Sequence, residues 1–196
     1  MDNTNLAGGF QDPPHDAAHA FRAIMDAMAR PGEVRSLTGA RPPAPLSHAA
    51  GVLLHTLCDP DTPISLAGAC DCDAVRQWIA FHTGAPLVDH ANCMFAVGSW
   101  HDLMPLSKYP VGRADFPDRS ATLIVETADT DLIPHIAQGP GIADKAILNL
   151  PETDFFQQNA RLYPLGIDFF FTNYDLVTAL PRSTRIEPFS RQMEPV

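Results

Sequence analysis

Apolar positions at helical spacing alternate with short apolar runs of strand length along the first half of the chain. Phe21, Ile24, Met25 and Met28 recur at i, i+3, i+4 and i+7, which predicts one apolar face of a helix. Asp12 or Asp16 can cap its start, and Pro31-Gly32 stops it. Residues 33–37 read as a short strand, and Arg41-Pro42-Pro43-Ala44-Pro45 as a stiff connector. Ser47 can cap a second helix carrying Val52, Leu53, Thr56 and Leu57, which Asp59-Pro60-Asp61 ends. A strand follows over residues 62–67. Asp73 then caps a third helix with Val75, Trp78 and Ile79 inward, terminated at His82-Thr83-Gly84-Ala85-Pro86.

The second half reads differently. Residues 93–98 form a strand, and residues 99–116 read mostly as loop, punctuated by Pro105, Pro110 and Gly112. The run Leu123-Ile124-Val125 marks a buried strand over residues 121–127. A weaker strand over 134–137 ends at Gly139-Pro140-Gly141, and a helix follows around 153–161. Two strands, 168–172 and 176–180, are joined by Asn173-Tyr174-Asp175 and read as a hairpin. Helices alternate with strands early and strands pair late. This predicts a three-layer α/β domain with a mixed sheet. The length of 196 residues suits a single domain, with residues 1–14 as a loose polar arm and 188–196 as a loose tail.

Charge narrows the function classes. The chain carries 13 basic against 23 acidic residues, net −10. That field opposes binding to a nucleic-acid backbone but permits a basic pocket or basic partner. Only Lys108 and Lys145 among the basic residues are lysines; the rest are arginines. The cysteines are Cys58, Cys70, Cys72 and Cys93. One Cys-x-Cys falls short of a zinc knuckle, so four reduced thiols and no metal are expected. No apolar run approaches bilayer length, and residues 1–10 lack the basic and apolar parts of a secretory signal. A cytoplasmic location is the expectation.

Individual residues leave alternatives open. His82 is either a general acid or phosphate contact, or a histidine favoured by the helix C-terminus. Arg30 either pairs bidentately with an anion or bonds the last carbonyls of its helix. Arg119, Arg182 and Arg185 meet either an anionic ligand, an acidic partner, or solvent. Asp168, starting a strand, can be buried against an arginine. Gly139-Pro140-Gly141 lacks the Lys-Ser/Thr and glycine spacing of a P-loop and favours a tight turn. Asp59 and Asp61 fit a turn. Trp100, Met104, Leu106 and Tyr109 lie in the long loop, either as contact surface, with Trp100 and Tyr109 as anchors, or folded back on the domain. No nucleophile elbow or metalloprotease motif is present.

Several ordered segments point to one family. They are Phe21-Arg22 through Ala27-Met28-Ala29-Arg30-Pro31-Gly32, Leu57-Cys58-Asp59 with Thr62-Pro63, and Phe81-His82-Thr83-Gly84-Ala85-Pro86-Leu87-Val88. Gly139-Pro140-Gly141-Ile142, Pro164-Leu165-Gly166-Ile167-Asp168 and Leu180-Pro181-Arg182-Ser183-Thr184 follow in order. Together, over residues 16–187, they resemble PhnH of the carbon–phosphorus lyase system. The resemblance implies a fold like the large domain of pyridoxal-phosphate-dependent transferases, without that cofactor. It implies a homodimer assembled with PhnG, PhnI and PhnJ. It also implies a part in making α-D-ribose 1-methylphosphonate 5-triphosphate from ATP and methylphosphonate. The residues add that a Schiff base needs a lysine, and neither Lys108 nor Lys145 falls in a shared segment. A scaffold or accessory role is expected, with a nucleotide or phosphonate pocket across a dimer interface as the alternative.

Overall fold

Two hydrophobic clusters sit on opposite faces of one central sheet. The computed structural model describes residues 6–189. In chain order it contains α1 (Pro13–Ala29), β1 (Arg35–Ser36), α2 (His48–Leu57), β2 (Ile64–Leu66) and α3 (Asp73–His82). Then come β3 (Phe95–Ser99), α4 (Trp100–Leu103), β4 (Val111–Arg113), β5 (Phe116–Ser120) and β6 (Thr122–Glu126). The last are β7 (Ile133–Gln138), β8 (Ala146–Leu150), α5 (Asp154–Arg161), β9 (Asp168–Asn173), β10 (Leu176–Leu180) and β11 (Arg185–Pro188).

The six-stranded sheet has the order β1-β10-β9-β6-β3-β2. β2, β3, β6 and β9 run parallel; β10 joins β9 antiparallel through the expected hairpin, and β1 pairs antiparallel with β10. Alternation across the strands builds the layers. Val97, Ile124 and Phe170 face a cluster covered by α1, α2 and α3. Their neighbours Ala96, Leu123, Val125, Phe169 and Phe171 face the other cluster. That second face is covered by a three-stranded sheet, β11-β7-β8, together with α4 and α5. The α/β class and mixed sheet are therefore as expected. Four strands were not anticipated: β4 and β5, in and just after the stretch read as loop, β8, and β11, whose Ile186 alone is buried among Arg185, Glu187 and Pro188.

The first helix corrects the predicted face. Ala20, Ile24 and Ala27 are buried, with Ala17, Ala23 and Met28 partly so. Phe21 and Met25 are half exposed. Small alanines let the backbone approach α2 and the sheet closely, so the stripe turns away from the two larger residues. Asp16 does not cap through its own turn. Its carboxylate reaches back to the amides of Gln11 and Asp12, while Pro13 and Pro14 open the helix without losing a needed donor. Ser47 caps α2 as expected, its hydroxyl accepting from the Ala50 amide at 3.1 Å. Asp73 is the first residue of α3 rather than its cap; Cys72 holds the cap position without a side-chain bond.

The arm read as loose is packed over residues 6–14, residues 1–5 lying outside the described residues, and the stretch read as loop is packed as well. In the amino-terminal arm, Phe10 is buried and stacks on His55, and the Trp78 indole donates to the Ala7 carbonyl at 3.1 Å. The loop over 99–116 folds back on its own domain. Leu103, Leu106 and Tyr109 are buried, and Trp100 packs on Phe155, Phe156 and Phe169. Tyr109 is thus buried in the core, and Trp100 is partly buried against it. A loop with that many large apolar groups covers the sheet face because leaving them in water costs more. Of the expected carboxyl-terminal tail, Pro188 belongs to β11; residues 190–196, including Arg191, lie outside the described residues.

Candidate functional site

The parallel strands end together, and their carboxyl ends open into a cleft of about 310 Å³. In open α/β sheets, this is the side on which ligands bind. Each strand contributes one segment: Cys70 after β2, Ser99 and Asp102 at the end of β3, Glu126 and Asp129 at the end of β6, and Asn173-Tyr174 at the end of β9. Ser47 and His48 at the start of α2 close the remaining side.

The cleft is built around carboxylates. Glu126 accepts the Ser47 amide at 2.7 Å and the Thr172 hydroxyl at 2.9 Å. Burial raises its pKa, against the lowering effect of those hydrogen bonds. Asp102 accepts the Ser99 hydroxyl at 2.8 Å and returns its own amide to the Ser99 oxygen at 3.2 Å. Its carboxylate lies where a side chain at position 68 would be, with an ideal Cβ on Gly68 falling 2.0 Å from the oxygen. Only glycine fits there, at φ +56°. The Cys70 thiol is pushed up to about 12, first by burial and then by Glu126 and Asp102.

No lysine or arginine lines this cleft among the described residues. Three of the amides at the start of α2 are not free to form an anion nest. The Ser47 amide is taken by Glu126, the Ala49 amide by the Tyr174 carbonyl at 2.8 Å, and the Ala50 amide by Ser47. Lys108 points elsewhere, donating to the carbonyls of Asp102 and Met104 at 3.3 and 3.1 Å. Among the described residues no group of three or more His, Cys, Asp or Glu is arranged to hold a metal ion.

The residues singled out in the sequence are scattered. Arg30 closes α1 half exposed, 3.3 Å from Asp26. Arg119 lies on β5 with its guanidinium 4.2 Å from the centre of the Phe116 ring. His82 ends α3 and bonds the Leu6 carbonyl at 3.0 Å, so it holds the amino-terminal arm rather than its own helix end. Its pKa is lowered, first by burial.

Arg182 is engaged within the domain, its side chain mostly buried. It clamps the Asp168 carboxylate, with Nε 3.1 Å from both oxygens and one terminal nitrogen on Oδ2. Its remaining donors reach the Pro117 carbonyl at 2.8 Å and the Ser120 hydroxyl. The expectation that Asp168 lies against an arginine is met here. Gly139-Pro140-Gly141 forms a tight turn, closed by Ile142 N–H to Gly139 O at 3.2 Å. An ideal Cβ on Gly141 would fall 1.9 Å from the Ala29 carbonyl oxygen. None of Arg30, His82, Arg119 or Arg182 lines the cleft. Its carboxylates escaped sequence reasoning because each comes from a different strand end, with no shared local spacing.

A second, more open depression of about 700 Å³ lies beside β2. There the Ser65 hydroxyl meets His90 Nδ1 at 2.5 Å, and Arg76 is neutralised by Asp71. It offers no unpaired cation among the residues that line it.

Comparison with known proteins gives the class. The model of the bacterial phosphonate metabolism protein family PhnH matches residues 8–187. The chain belongs to this family. It is also 39% identical, over 190 residues, to the α-D-ribose 1-methylphosphonate 5-triphosphate synthase subunit PhnH of Rhizobium meliloti strain 1021. That alignment covers 92% of this chain and 95% of the relative.

Proposed function

We propose that this chain is an accessory subunit of a multi-subunit synthase making α-D-ribose 1-methylphosphonate 5-triphosphate from ATP and methylphosphonate. The observation that carries the reading is the 39% identity to a named subunit of that synthase across nearly its full length. The site chemistry supports an accessory role. Transfer onto a nucleotide sugar needs cations or a metal about the phosphates and a positioned acid or base. The cleft at the strand ends has carboxylates and no lysine or arginine. The catalytic groups would then come from the partners, PhnG, PhnI and PhnJ, and the transferase activity would belong to the complex.

Further parts of the proposal follow the same line. The chain forms a homodimer within that complex. It works in the cytoplasm, where its four unpaired cysteines stay reduced. Its sheet is the scaffold of the large domain of pyridoxal-phosphate-dependent transferases, used without the cofactor. Lys108 is engaged with backbone carbonyls, and Lys145 lies just before β8, so neither lysine lines the cleft for a Schiff base. A second reading is favoured by the cleft itself: the chain supplies a binding pocket for part of the nucleotide.

ATP binding by the isolated chain separates these, and adenine release tests the first. Purified chain given ATP and methylphosphonate should release none, while the complex co-expressed with PhnG, PhnI and PhnJ should. Turnover by the chain alone, or failure to recover any partner in a pull-down, overturns the accessory reading.

A further inference from the structure

The chemistry of the cleft selects its ligand. It stands at the carboxyl ends of four parallel strands and is just large enough for a small organic molecule. A phosphate entering it would meet Asp102, Glu126 and Asp129 and no lysine or arginine. Three of the amides at the start of α2 that might otherwise receive an anion, those of Ser47, Ala49 and Ala50, are already bonded. The same lining is suited to a donor. Carboxylate oxygens accept hydroxyls and amines, and an acidic side chain after a parallel strand is a common partner for a ribose diol.

An aromatic ring stands at the mouth. Tyr174 is 77% exposed and lines the cleft. It is held at φ 52°, the one non-glycine residue at positive φ among those described. A two-residue hairpin needs asparagine or glycine there on conformational grounds, and a bulky side chain is costly. The backbone at this position gains nothing from the ring, so the ring's value lies in what it touches outside.

We propose that this cleft binds the nucleoside part of a nucleotide, with sugar hydroxyls on Asp102 and Asp129, the base stacked on Tyr174, and the phosphates directed to solvent. The choice of a nucleoside rests on the synthase-subunit reading above. The exclusion of a phosphate-led mode rests on the cleft alone. Glu126 fixes the floor through Ser47 and Thr172 and is left out of the ligand contacts.

Calorimetric titration of the full chain with adenosine, ATP and inorganic triphosphate tests it. Adenosine should bind, ATP should bind no more tightly than adenosine, and triphosphate should neither bind nor displace adenosine. Asp129→Asn and Tyr174→Gly should each weaken adenosine by about tenfold, the scale of one lost hydrogen-bonded or stacked group. Tyr174→Gly should meanwhile melt at the same or a higher temperature, because glycine accepts positive φ without strain. No binding of adenosine at millimolar concentration overturns the inference. So does displacement of adenosine by triphosphate, or full retention of affinity in both variants. Co-purification with PhnG, PhnI and PhnJ reads the subunit assignment separately. A chain that assembles but binds no adenosine defeats this inference alone, and one that binds adenosine but does not assemble defeats the subunit assignment alone.

Discussion

The neighbouring strands β6 and β9 carry a carboxylate at each end of their pairing, and the two are treated in opposite ways. At the amino end, Asp168 stands beside Thr122 in the register; at the carboxyl end, Glu126 stands beside Thr172. Asp168 has an arginine on both oxygens, and each side-chain nitrogen of that arginine donates within the domain. Glu126 has only neutral donors, a backbone amide and a hydroxyl, and shares its surroundings with Asp102. A charge with its partner built in is closed to ligands and serves the fold. Acceptors gathered without a cation leave donors to be supplied from outside. The sheet therefore has a stapled end and a receptive end.

Breaking the staple should have the largest effect. Arg182→Ala leaves Asp168 mostly buried without its cation, and also frees the Pro117 carbonyl and the Ser120 hydroxyl. Removing one partner of a buried pair costs about 3–5 kcal/mol. Chemical denaturation should show a loss in that range. A loss below about 1 kcal/mol would mean that water already serves Asp168, and the contrast between the ends would fail.

The receptive end is not free of structural duty, and Trp100 marks where that duty begins. It follows Ser99 directly and stacks on Phe156 at 5.2 Å between ring centres. Trp100→Ala should destabilise by about 2–3 kcal/mol, below the value for a fully buried tryptophan. The oligomeric state should not change at matched folded fraction, as light scattering would show. An altered mass with unchanged stability would support the interface role that the sequence suggested.

Glu126 gives a smaller effect with a distinctive pH dependence. Its folded pKa is raised by burial, so the folded state holds the proton more tightly than the unfolded chain. The stability from that proton is fully present below the ordinary carboxylate value, near pH 4. It is lost as pH rises through the folded value. Glu126→Gln keeps an acceptor for Ser47 and removes the titration. The variant should therefore gain on the wild type as pH rises from about 4 to 7, by denaturation midpoint. A gap that narrows with rising pH would show that the hydrogen bonds, not burial, dominate.

The two ends also differ in how far they can be read from sequence. Asp168 and the possibility of its arginine were legible, because the strand start and the following basic residues lie close along the chain. The cap of α2 and the inward face of α3 were legible for the same reason: Ser47, Val75, Trp78 and Ile79 act within one or two turns. The face of α1 was not. Its packing depends on how closely α2 approaches, which favours Ala20 and Ala27 over Phe21 and Met25. The cleft was hidden more deeply. Asp102, Glu126 and Tyr174 come from three strand ends that the sheet order brings together, and no local spacing records that order. β8 and β11 escaped because edge strands with one solvent face bury few residues.

Asp26 supplies the case that separates burial from pairing. It is a carboxylate with two arginines in reach, Arg30 at 3.3 Å and Arg35 at 3.7 Å, so by partners alone it resembles Asp168. By exposure it does not: its side chain is about half open to solvent, as is that of Arg30. Water solvates the ions whether or not they meet, salt screens them, and long side chains lose freedom on pairing. Asp26→Ala should therefore change stability by less than about 0.5 kcal/mol. Ile24→Ala, two residues away on the buried face of the same helix, should cost about 2–5 kcal/mol through the cavity it leaves. Denaturation of the two variants side by side tests both the helical face and the rule. Equal losses would mean that the surface network of Asp26, Arg30 and Arg35 acts as a unit, and that a cation partner rather than burial gives the stapled end its strength.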